Sequence, residues 1–187
     1  MPSPGRLNLV GSVIGIALCA LILLGWRQHL PSDTSSVQID LAPFGSWGAV
    51  AVPAILLLVG AVFFLARIAM HELIHAIACP GFGLSDAAVL GVWPSRLIPY
   101  ADYQGPMPCW RGTIVAIAPF TILSLLPLAM ASSGASVPTF CVVVSVVNAL
   151  VCGGDALIGF MVLSQVPLRA VVQNKQWGMW WRSAGSP

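Results

Sequence analysis

The chain has 187 residues, 58% of them hydrophobic and only 7% charged, with a formal net charge of +2. A soluble globular domain carries about 25% charge, so this composition describes an integral membrane protein whose length suits one domain over 1–187. A small net charge with no basic run argues against a nucleic-acid partner.

The first apolar run, about 7–26, is long enough to cross a bilayer. No small-x-small cleavage site follows it, and Leu18 before Cys19 spoils a lipoprotein-type site, so it reads as an uncleaved membrane helix. The polar stretch 27–46 reads as a loop with a short strand or surface helix at 37–41. A second run, 47–79, is longer than a bilayer needs; Pro53 is expected in its first turn, and Pro80-Gly81 ends it. Within 82–108 two extended runs, 86–92 and 97–103, flank Trp93-Pro94-Ser95-Arg96, and Trp93, Tyr100, Tyr103 and Trp110 suit a membrane interface. The third run, 112–130, should kink at Pro119 and Pro127. The fourth, 139–166, is broken by Gly153-Gly154 ahead of Asp155. The tail, 167–187, carries Arg169, Lys175, Arg182, Trp177, Trp180 and Trp181 and is expected along the membrane surface. The expected fold class is an all-α polytopic membrane protein of about four transmembrane helices with a small interfacial β-hairpin after the second.

Four spans put the termini and the hairpin on one side. That side holds Arg6, Arg96, Arg111, Arg169, Lys175 and Arg182, against Arg27 on the other, so both termini are expected in the cytoplasm. The five cysteines, Cys19, Cys79, Cys109, Cys141 and Cys152, make no C-x-x-C pair and read as small buried hydrophobes rather than disulfides.

The chemistry lies in the second run, at His71-Glu72-Leu73-Ile74-His75. Residues four apart on a helix share a face, so His71 and His75 can grip one metal ion, with Glu72 beside them to take a proton from water. Glu72 is the chain's only glutamate and is flanked by apolar residues. Such a charge in a bilayer costs roughly 2.5–3.5 kcal/mol on insertion scales, which a divalent cation offsets. The expected cofactor is one zinc ion.

A catalytic zinc takes three protein ligands and keeps one position open. His29 and Asp33 and Asp40 fall on the opposite side, and Asp86 and Asp102 belong to the hairpin. Asp155 is the remaining acid in an apolar run; Cys79 and Cys152 are its rivals. Arg67, one turn before His71, is a candidate partner for Asp155 or for substrate carbonyls, with snorkelling or a backbone bond as the alternative.

The metal motif with an Asp ligand on a later helix resembles the site-2 protease class of intramembrane metalloproteases. Asn148, seven residues before Asp155, is similar to the asparagine upstream of that class's Asp-Gly. The run Asn148-Ala149-Leu150-Val151-Cys152-Gly153-Gly154-Asp155-Ala156 departs from that class's Asn-Pro-Asp-Gly. It is closer to the zincin peptidase family of short bacterial membrane proteins, similar in its His-Glu-x-x-His, in Ala118-Pro119-Phe120 and in Gly154-Asp155, over about 66–167. The resemblance implies a zinc-dependent intramembrane peptidase in a bacterial cell membrane, acting on a membrane-protein or membrane-peptide substrate. In it His71, His75 and Asp155 hold the metal, Glu72 is the base, and Asn148 is a candidate oxyanion or substrate contact or a helix–helix hydrogen bond. The rival readings are a zinc-binding scaffold or pseudo-protease, against which the intact Glu72 stands, and a metal transporter, against which the apolar stretch 50–65 stands.

Overall fold

The computed structural model describes residues 4–30, 45–93, 98–175 and 178–183. Helix α1 is Pro4–Trp26 and α2 is Gly45–Ala78. Strands β1, Ala88–Trp93, and β2, Ile98–Tyr103, pair antiparallel, with Leu90 opposite Ala101. The two-residue strand β3, Met107–Pro108, leads into α3, Cys109–Pro119. Six residues of π-helix, Phe120–Leu125, join α3 to α4, Leu126–Ser132. Then come α5, Thr139–Val151, α6, Gly153–Gln165, and strands β4, Val171–Lys175, and β5, Gly178–Arg182.

Gly5–Trp26, Val50–Ala78 and Cys109–Ser132 are each long and apolar enough to cross a membrane. The α5–α6 pair, bent by 50°, makes a fourth if it counts as one span. The chain is therefore mostly helical, with small sheets, and compatible with a membrane protein. Only 6% of the α2 window is buried, because residues such as Leu57 and Leu58 point outward all round the helix.

Several sequence expectations change. Pro53 is not in the first turn of α2, which starts eight residues earlier at Gly45. The break expected at Pro119 and Pro127 takes the form of the π segment between them; wide turns of this kind recur at functional sites. The tail contributes strands that the sequence reading did not expect: β3, β4 and β5 form one antiparallel sheet, with Met107 opposite Val172 and Val172 opposite Trp181. The segment expected at 37–41 and the turn at 94–97 lie outside the described residues.

Two buried clusters set the frame. Ile22, Trp26 and Ala149 lock α1 to α5, and Trp26 Nε1–H donates to Ser145 Oγ at 3.0 Å. Met107, Cys109, Val166, Ala170 and Val172 tie the C-terminal sheet to α3 and α6. The C-terminal end of α2 has carbonyls with no helical partner; Arg111 supplies one, its Nε–H donating to Ala78 O at 2.8 Å and its Nη2 to Cys79 O at 3.3 Å. The chain then reverses sharply at Gly83, where φ is +74° and a Cβ would press on Ala76 O.

Candidate metal centre

The helical spacing of four brings His71 and His75 together on the buried face of α2, with ring centroids 4.8 Å apart. Each ring is oriented by one hydrogen bond. His71 Nδ1–H donates to Asn148 Oδ1 at 2.8 Å, and His75 Nδ1–H donates to Val115 O at 2.8 Å. These directions follow from the partners. Val115 O is a carbonyl and can only accept, and the Asn148 amide nitrogen donates to Pro119 O and to Ser124 Oγ, both at 3.0 Å, so its oxygen faces His71.

With both Nδ1 atoms protonated, both neutral rings present the Nε2 lone pair. The two Nε2 atoms stand 3.2 Å apart, a contact between acceptors rather than a hydrogen bond. Asp155 Oδ2 joins them, 3.2 Å from His71 Nε2 and 3.6 Å from His75 Nε2. Three acceptors converging this closely repel one another unless a proton or a metal ion lies between them. Four ligands placed tetrahedrally about zinc at ~2.0–2.2 Å lie about 3.3–3.6 Å from one another, so the three separations here fit that ion. Carbonyl groups holding the far nitrogen of each histidine are also the usual outer shell of a zinc site.

Cys152 adds an overlapping set: ligand atoms of His71, Cys152 and Asp155 all lie within 4.8 Å of one another. Its sulfur also accepts from Asn148 Nδ2 at 3.3 Å, which places it beside the amide that holds His71. The histidine–histidine–aspartate set is the tighter of the two and matches zinc's spacing. Cys79, the other rival, lines the adjoining cavity but forms no part of a metal-sized cluster among the described residues.

Glu72 lines a cavity of about 200 Å³ that His75 and Asp155 also line. Its Oε2 accepts the backbone N–H of Ala101, on β2, at 2.9 Å. The hairpin therefore supplies one wall of the cavity, and α3 supplies another through Gly112, Val115 and Ala116. Asp155 reaches this space because α6 starts afresh at Gly153 after the bend. Its side chain keeps 26% exposure, enough to face the cavity while touching both histidines.

Two expected contacts are corrected. Asn148 is fully buried with its amide and carbonyl both committed, so it is no free oxyanion or substrate donor; it orients His71. Arg67 is 3% exposed and does not line the cavity, and no bond joins it to Asp155 or to backbone among the described residues. Its guanidinium lies 5.1 Å from the Phe64 ring centre, and Nε and Nη1 have no hydrogen-bond partner among the described residues. Sequence reasoning missed Val115, whose carbonyl carries no side-chain signature, and Ser124, which the π segment turns toward Asn148. His29 lies far off, against Ser132.

Residues 64–171, which contain α2's metal motif, the hairpin and Asp155, match the family described as "Putative zincin peptidase". The chain belongs to this family. Its description implies a zinc metallopeptidase. Comparisons with curated proteins and with solved structures gave no match.

Proposed function

We propose that this protein is a membrane-embedded zinc peptidase that hydrolyses a peptide bond in or near the bilayer. The observation that carries the reading is the shared cavity: Glu72, His75 and Asp155 open into one space beside converging imidazole nitrogens. The apolar helices around it support action within a membrane, as does the resemblance to site-2 proteases.

His71, His75 and Asp155 would hold the ion, with Asn148 and Val115 fixing the two rings. When bound, zinc supplies Lewis acidity, polarising a carbonyl and making a water acidic near neutral pH. Glu72 takes the water's proton on its carboxylate and later delivers it to the leaving nitrogen. Ala101 N–H holds Oε2 at 2.9 Å, which leaves Oε1 as the oxygen that would take the proton. A zinc dication with two ionised carboxylates, Glu72 and Asp155, is neutral overall, the balance that an apolar setting tolerates best.

The test pairs zinc analysis of the purified protein with membrane peptide profiles of cells carrying wild type or Glu72→Gln. Removal of a general base typically costs 10²–10⁴-fold in rate. Glu72→Gln should keep its zinc and abolish the wild-type cleavage products. Unchanged products with Glu72→Gln would refute the mechanism, and His71→Ala should lose both zinc and products.

A further inference from the structure

A second, larger hollow of about 690 Å³ lies against the outer side of the catalytic cavity. Its walls are α6, the β4–β5 hairpin and Leu7 near the start of α1. The two spaces share Asp102, Ile158, Asn174 and Met179, so they adjoin along these side chains. The groups able to do chemistry, Glu72, His75 and Asp155, line the first space and not the second, and where the two meet Asn174 Nδ2–H donates to Asp102 Oδ1 at 2.8 Å. Beyond the junction the walls are mainly apolar: Met161, Val162, Val166 and Trp181, with Gln165 among them.

Resting on the peptidase reading, we infer that this outer groove binds the apolar stretch of the substrate on one side of the scissile bond. A peptide lying across both spaces would set its reacting amide beside Glu72, His75 and Asp155 and its neighbouring apolar side chains against α6 and Trp181. The four lining residues shared with the catalytic cavity favour this occupant over a free lipid chain, which would have no reason to sit beside Asp155's cavity. The specificity that follows is for large aliphatic or aromatic residues on that side. Burial of each methylene tightens binding by up to three- to fourfold.

The test needs no natural substrate. Acetohydroxamate, hexanohydroxamate and decanohydroxamate carry one metal-binding head on chains of increasing length. Their affinities for the zinc-loaded full chain in detergent are measured by calorimetry, for wild type and for Met161→Trp and Gln165→Trp. Both variants fill the outer groove, neither touches the catalytic cavity, and Gln165 is exposed, so its substitution leaves the packing intact. Partition into micelles is common to all three proteins, so the variant-to-wild-type ratio is the readout. The expected result is a loss of tenfold or more for decanohydroxamate and under twofold for acetohydroxamate. Equal losses across the series, or none, overturn the groove assignment while leaving the zinc site standing. A change in co-purified lipid with no change in hydroxamate affinity overturns it in favour of a lipid seat. Failure of every hydroxamate to bind zinc-loaded wild type overturns the peptidase reading and the groove with it.

Discussion

Replacement of Asn148 tests the proposed zinc centre at a residue that touches neither metal nor substrate. Its Oδ1 accepts the Nδ1–H of His71 at 2.8 Å, and its Nδ2 donates to Pro119 O and Ser124 Oγ at 3.0 Å each. Asn148→Ala leaves the His71 Nδ1–H without its acceptor in a fully buried spot. The ring is then free to rotate or change tautomer, and removal of such an outer partner typically costs 10–100-fold in metal affinity, or about 1.4–2.7 kcal/mol. Ser124 Oγ keeps its bond to Ser145 O at 2.9 Å, so the folding cost falls mainly on the buried His71 N–H, about 1–3 kcal/mol for a group left unpaired. Asn148→Asp keeps an oxygen facing His71 and should bind zinc more tightly than Asn148→Ala at similar or lower stability, which separates ring orientation from loss of fold. Affinity is read by competition of the purified proteins with a chromophoric zinc chelator, and stability by thermal unfolding of the zinc-free forms. Zinc affinity within about twofold of wild type in Asn148→Ala would refute the claim that this hydrogen bond poises His71.

Asp155→Ala should cost more than the hundredfold ceiling of an outer-shell change, because it removes a direct ligand, whereas Asp86→Ala, an exposed acid, should keep full zinc content by elemental analysis. For topology, the six-to-one bias of positive charge predicts that reporters fused after Gln173 and within 32–37 report opposite sides, the former cytoplasmic. A reporter after Gln173 found outside would remove that orientation.

The parts of the structure written locally were legible in the sequence. Apolar runs of bilayer length located α1 and α2, and a spacing of four put His71 and His75 on one face. Elimination among five aspartates singled out Asp155, which lies 3.2 Å from His71 Nε2. The parts that depend on distant partners were not. The pairing of Met107 with Val172 joins segments 65 residues apart, and a two-residue strand has no alternation to detect. Asn148 invited a substrate role because its resemblance gave a position but not a rotation about α5; His71 on α2 occupies its acceptor, and Pro119 at the end of α3 and Ser124 of the π segment take its donors. The break at Gly153-Gly154 is packed closely by α1. A Cβ on Gly15 would collide with Leu150 O, and one on Gly153 with Gly11 O. The spacing Gly11-Ser12-Val13-Ile14-Gly15 was a readable signal of such close helix packing.

That contact explains how an aspartate can sit stably in an apolar run. At Cys152, with φ −68° and ψ −1°, α5 ends and α6 begins, so Asp155 falls in the first turn of a new helix instead of the middle of an old one. A first turn has free backbone N–H groups and a positive dipole end, both favourable to a carboxylate. The same 50° bend redirects α6 so that this carboxylate meets the histidines of α2. A bend between two apolar helices exposes backbone, and in a bilayer exposed backbone must be covered by protein. Helix α1 covers it, backbone against backbone, through Gly11 and Gly15. The family match begins at residue 64, well past α1. The brace on the proposed third ligand therefore comes from outside the matched segment, and α1 belongs to the working site as much as the helices that carry its side chains.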